Sequence, residues 1–150
     1  MTAQGEDILA FLDAAITRRV DAALKTLDIA DRAEARRGRT PTPWVFVSNP
    51  NTVVGEIRDA DAGIIRVRST WPAEGEHIAL NDPASVLRCC AADRKLLAMY
   101  RALLVDAPRS HYADAGDLAM QQERTLPALN ILRPVLLALA EGYGWTEGKR

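Results

Sequence analysis

The chain has 150 residues, 48% of them apolar and 26% charged, with 19 basic against 20 acidic side chains and a formal net charge of −1. That size supports the core of one ordinary domain over residues 1–150. The balance excludes a disordered polyelectrolyte and a wholesale basic nucleic-acid binder.

Cys89 and Cys90 are the two cysteines, and they are adjacent. Neighbouring side chains on a helix diverge by about 100°, so no disulfide framework is expected, and there is no CxxC zinc knuckle. A reducing, cytoplasmic setting follows. The first residues carry no basic segment followed by an apolar one, so no signal peptide is expected. The most apolar stretch, around Ile131 to Ala140, falls short of the roughly 20 residues of a membrane helix and is interrupted by Arg133 and Pro134. No membrane association is expected.

Residues 6–37 read as one amphipathic helix. Ile8, Phe11, Leu12, Ala15, Ile16, Val20, Ala23, Leu24 and Leu27 recur at helical steps, with Arg19 interrupting the stripe. Gly38 is positioned to end it. At about 1.5 Å per residue such a helix would approach 45 Å. That is too long for a compact domain of this size. The helix must break near Asp28–Ala30, or project and pair with a second copy of the chain as a homodimer.

Two prolines in Thr40-Pro41-Thr42-Pro43 force extended backbone. A three-stranded antiparallel meander is expected over 44–68, with strands at 44–48, 52–58 and 64–68 and turns at Asn49-Pro50-Asn51 and Asp59 to Gly63. Trp71 to Glu76 reads as a loop. Asp82 and Pro83 then begin a helix over 83–105, as N-cap and first helical residue. C-terminal helices are expected within 114–142, one over 114–125 and an apolar one over 132–141. The fold class is α+β: helix-dominated, with a small sheet inserted after the first helix and two to three helices following it.

The stretch His77 to Leu97, HIALNDPASVLRCCAADRKLL, is more specific than its surroundings. It resembles the central block, HIAxxDPxxVLRxxxAxRxLL, of an uncharacterised actinobacterial and actinobacteriophage family carrying a domain of unknown function. Ile8 to Leu12, Thr42-Pro43-Trp44 and Pro134 to Ala140 match further family segments in the same order. The resemblance implies fold, a phage or actinobacterial origin and a cytoplasmic setting, and it transfers no reaction. Many relatives carry a second histidine where this chain has Asn81, so a His-x-x-x-His metal pair is absent here. The stretch from Pro108 to Gln122 is longer than usual in the family.

Five constellations are candidate sites. His77 with Asp82 could form an oriented general base, or Asp82 could simply cap a helix beside a packed His77. Cys89 and Cys90 with Asp93 could supply a thiol nucleophile assisted by His77 or His111, or Cys90 could be core and Asp93 an ion-pair partner of Arg19. Arg58, Arg66 and Arg68, if they share a face with Trp44 and Phe46, would make a stacking platform for single-stranded nucleic acid. If the aromatics face the core, these arginines are a solvated surface. Arg36, Arg37 and Arg39, with Arg32, could meet phosphates or an acidic partner, or complement the helix dipole. His111, Tyr112, Asp114 and Asp117 lie on a loop with no known metal-ligand spacing.

No glycine-rich phosphate loop and no Gly-x-Ser-x-Gly elbow occur, so no cofactor and no metal are expected. The leading expectation is a non-enzymatic interaction protein that binds a protein partner through helix faces. The alternatives are a nucleic-acid-associated module using the arginine patches, and a small hydrolase or nucleotide or metabolite binder centred on His77, Asp82 and Cys90. The latter requires a concave pocket between the His77 segment and the first helix.

Overall fold

The computed structural model describes residues 3–106 and 115–146. The element order is α1 (Ala3–Thr26), α2 (Ile29–Arg36), β1 (Trp44–Ser48), β2 (Gly55–Asp59), β3 (Ile65–Thr70), α3 (Pro72–Leu80), α4 (Pro83–Asp106) and α5 (Ala115–Gly142). The helix-dominated α+β class is as the sequence leads one to expect. The chain divides into two compact units: one holds the residues up to Ile16 and from Ala92 on, and the other is Thr17–Ala91.

The helix read over 6–37 is two helices, α1 and α2. Asp28 decides the break. Its backbone is extended and its carboxylate accepts from the Asp31 amide at 2.9 Å, which caps α2. The carbonyls stranded at the end of α1 are collected by Arg32, whose guanidinium donates to Leu24 O at 2.8 Å and Leu27 O at 2.9 Å. The length argument for pairing with a second chain therefore falls away. Two other expectations are corrected. Residues read as a loop after Trp71 belong to α3, which starts with Pro72 in its first turn and is held by packing on β1 and β2. The two expected C-terminal helices are one element, α5, which runs through Pro127 and Pro134. Each proline costs the helix an amide donor. Thr125, Leu136 and Ala140 are buried on either side of these breaks, so tertiary packing overrides the local penalty.

In the terminal unit the core comprises Leu9, Leu12, Ala15 and Ile16 of α1, Leu97 of α4, and Leu136 and Ala140 of α5. Leu12, Ile16 and Leu97 are almost fully sealed, and each contributes roughly 1.5–3 kcal/mol by burial. After α5 the chain turns at Gly144 (φ +91°) and brings Trp145 edge-on to Phe11, with ring centroids 5.0 Å apart.

In the central unit the strands lie in the order β1-β2-β3, all antiparallel. Trp44 and Phe46 pair with Asp59 and Ile57 on the inner face, where Ile57 is fully buried. Val45 and Val47 pair with Arg58 and Glu56 on the outer face. β3 carries two irregularities. Arg58 opposes Ile65 while Ile57 opposes Val67, so Arg66 is an extra residue, a β-bulge. A second extra residue falls between Val67 and Thr70, where Ser69 has φ +56°. Simple alternation would put Ile65 and Val67 on one face. The bulge puts Ile65 with Arg58 outside and Val67 with Ile57 inside.

Candidate functional site

Asp82 uses both of its carboxylate oxygens. It is buried at 1% exposure. One carboxylate oxygen accepts from the Ser85 amide and caps α4. The other accepts from the Trp44 amide at 2.7 Å and fixes the start of β1. The two oxygens thus tie a helix start to a strand start 38 residues earlier in the chain.

Beside this tie lies a cleft of about 240 Å³. α1 contributes Arg19, Ala22, Ala23 and Thr26 to one wall, one face of the helix. Trp44, with Asn81, Pro83 and Val86 from the segment around Asp82, forms the other. Asn81 is held by its own amide, which donates to His77 O at 2.9 Å. A concave pocket therefore exists between the first helix and the segment that follows His77. His77 and Cys90 do not line it.

The structure does not assemble the sequence-level acid–base pair. His77 is exposed on α3, whereas Asp82 is buried with both oxygens on main-chain amides. Cys90 is fully buried and Cys89 exposed, neither in a disulfide. Asp93 accepts from the Tyr143 hydroxyl at 2.7 Å.

The arginines divide. Arg66 is turned inward by its bulge and grips Asp59 through two nitrogens, at 2.7 and 3.1 Å. The same guanidinium reaches Asp31 at 3.5 Å and Asp28 at 3.8 Å. Those hydrogen bonds to Asp59 raise its pKa further. Arg58 lies outside and pairs with Glu56 at 2.6 Å. Arg68 is exposed. Trp44 and Phe46 face inward, away from Arg58, so strand register separates the aromatics from the arginine and no stacking platform forms. Arg37 and Arg39 both pair with Glu34, and Arg36 is exposed. His111, Tyr112 and Asp114, and the side chain of Asp117, lie outside the described residues. Among the described residues no group of three or more His, Cys, Asp or Glu is placed to hold a metal, and no helix is long and apolar enough to cross a membrane.

Sequence reasoning placed a pocket between the His77 segment and the first helix, but with His77, Asp82 and Cys90 at its centre rather than Arg19, Trp44 and Val86 in its lining. Signals of that lining were present: Arg19, Ala22, Ala23 and Thr26 share a helix face. What the sequence does not show is that Trp44 closes the other side.

A family profile matches residues 5–144 of the chain. The chain belongs to the family of unknown function DUF6221. This agrees with the resemblance to an uncharacterised family read from the central block. In this DUF6221 protein that block supplies Asn81, Asp82, Pro83 and Val86, so the most distinctive stretch of sequence also builds one wall of the cleft. No curated protein and no solved structure matches the chain.

Proposed function

We propose that this DUF6221 protein is a non-enzymatic, cytoplasmic interaction protein that binds a protein partner, with the cleft beside Trp44 as the point of contact. The carrying observation is the cleft itself: apolar side chains in both walls, an indole in one and an arginine in the other. Tryptophan and arginine are the side chains most often found as energetic anchors of interfaces. An origin in an actinobacterial phage or prophage is part of the proposal. It is supported by the resemblance of the His77 to Leu97 block and by the scarcity of lysine, found only at Lys25, Lys95 and Lys149.

The alternatives draw less support. A nucleic-acid module would rest on Arg36 and Arg68 without a stacking surface, since Arg58, Arg66, Arg37 and Arg39 are engaged by carboxylates. A hydrolase centred on His77, Asp82 and Cys90 would need groups that the fold holds in three different environments.

Affinity capture from an actinobacterial lysate tests the reading, run with and without nuclease and in parallel with Ala22→Trp, which fills the cleft. One dominant protein, retained through nuclease and lost with Ala22→Trp, is the expected result. Recovery that collapses with nuclease, or that ignores the filled cleft, overturns it.

A further inference from the structure

We propose that the cleft docks an acidic polypeptide segment, which inserts one apolar or aromatic side chain between α1 and Trp44. This rests on the reading of the chain as a protein-binding module and names the chemistry of the partner.

Size comes first. The cleft, at about 240 Å³, lies below the roughly 300 Å³ at which pockets for drug-sized ligands begin. It suits a single inserted side chain better than a whole cofactor. The side chains of Ala22, Ala23, Pro83 and Val86 in its walls offer contact and no hydrogen bonds. The Thr26 hydroxyl already donates to Ala23 O at 2.7 Å, and one N–H of Asn81 to His77 O. A nucleobase edge would find few donors there, whereas an aliphatic or aromatic side chain needs none. The backbone that carries the indole wall is set in advance, because Asp82 fixes the Trp44 main-chain amide. A pre-set backbone lowers the ordering cost of binding.

Charge selects the rest of the segment. Arg18 and Lys25 stand four residues before and three after Ala22, on the flank of the cleft's α1 wall. Both are exposed, and neither joins an ion pair among the described residues. With Arg19 they give this rim three positive charges. One acid, Asp21, stands three residues after Arg18 and four before Lys25 on the same flank and offsets one of these charges, which leaves the rim net positive. Carboxylates flanking the inserted side chain would meet this rim, which raises association rate and fixes orientation.

The test uses the full chain, immobilised, as bait for a phage-displayed random peptide library. The expected selection is peptides with Asp or Glu on both sides of one large apolar residue. A synthetic selected peptide should lose binding to Ala22→Trp. Its affinity should fall roughly tenfold or more for Arg18→Glu with Lys25→Glu, and likewise when its own large residue becomes alanine. Ala22, Arg18 and Lys25 are exposed, and circular dichroism confirms that each variant is folded. Selected peptides without acidic bias, or indifference to the charge reversal, overturn the inference. So does displacement of the peptide by an oligo-dT strand, or a concentration-dependent dimer in sedimentation that Ala22→Trp abolishes. An empty selection beside a successful lysate capture overturns this inference alone and leaves the protein-binding reading standing.

Discussion

The ring of Phe46 lies so close to Gly75 that a Cβ at that glycine would stand 2.2 Å from Cδ2. The same ring borders Gly55, where a Cβ would stand 2.5 Å from Cζ. One aromatic side chain of β1 thus occupies the space that two missing side chains leave, one on β2 and one on α3. This is how α3 lies down on the sheet. Gly75→Ala sets two effects against each other. Alanine favours the helix by about 1 kcal/mol. The overlap with a ring wedged on both sides works the other way, and overpacking of a dense core costs about 1–3 kcal/mol. The overlap should win, giving a lower urea midpoint. Phe46→Ala removes the whole ring, Cδ2 included, so in the double variant the cost of Gly75→Ala should shrink. A Gly75→Ala protein as stable as the parent would refute the packing.

Asp82 joins α4 to β1, and its replacement should cost more than an ordinary cap. Loss of a helix N-cap is worth about 1 kcal/mol. A buried main-chain amide left unpaired adds roughly 1–3 kcal/mol. Asp82→Ala should therefore lose about 2–4 kcal/mol in chemical denaturation. Asp82→Asn is informative because one acceptor becomes a donor. It keeps one bond and sets an N–H against the other amide, so it should fall between parent and alanine. A loss no larger than that of a surface cap would mean that the Trp44 contact carries no weight.

The ends of the elements were legible wherever a single residue type enforces them. Asp82 and Pro83 announce the start of α4, and the prolines before Trp44 announce the sheet. The break after Leu27 was visible as a length problem near Asp28–Ala30, and the apolar stripe read for the helix ends at Leu27, but the cap that makes the break was not read. α3 was not legible. Gly75 sits inside it and breaks the helical pattern, because the position is chosen for the width of the Phe46 ring rather than for helix propensity. The arginines misled for a related reason. Alternation along β3 puts Arg66 and Arg68 on one face, and a bulge inverts the outcome without leaving a mark in the residue pattern. A site made of one helix face and one strand start 18 residues downstream, as Thr26 and Trp44 are, requires the register that the sequence withholds.

Ser69 holds the second bulge with φ +56°, a left-handed conformation that costs a residue with a Cβ about 1–2 kcal/mol. Ser69→Gly relieves that cost and adds chain entropy to the unfolded state, worth about 0.5–1 kcal/mol in the opposite direction. The balance is a gain of about 0.5 kcal/mol, read as a small rise in melting temperature. Ser69→Val should lose stability, since branching at Cβ makes the left-handed region still less accessible. If the valine variant melts with the parent, the backbone at this position is not the constraint.

Arg66 serves three carboxylates that do not gain equally from it. Asp59 is buried and takes both strong hydrogen bonds. Asp28 is held below the usual carboxylate value of 3.8, first by the Asp31 amide that donates to it, with the Arg66 charge adding. Asp31 is pushed above 3.8, first by partial burial and then by the Asp28 charge, and Arg66 offsets only part of this. The signs follow. Asp28 contributes stability that is present above 3.8 and lost as pH falls through its depressed folded value. Asp31 does the reverse: its charged form is disfavoured in the fold, so stability declines as pH rises from 3.8 through its raised folded value. Asp31→Asn removes that opposing contribution. It should leave neutral-pH stability level or slightly higher, and it should steepen the loss in acid. Asp59→Asn breaks the buried pair and strands Arg66, and it should cost about 2–4 kcal/mol at pH 7, discounted for the partial exposure of the guanidinium. Denaturation midpoints measured from pH 7 down to pH 3 separate the two variants. Equal losses at pH 7 would show that the guanidinium is shared evenly, against the geometry of two short bonds to Asp59 and longer reaches to the others.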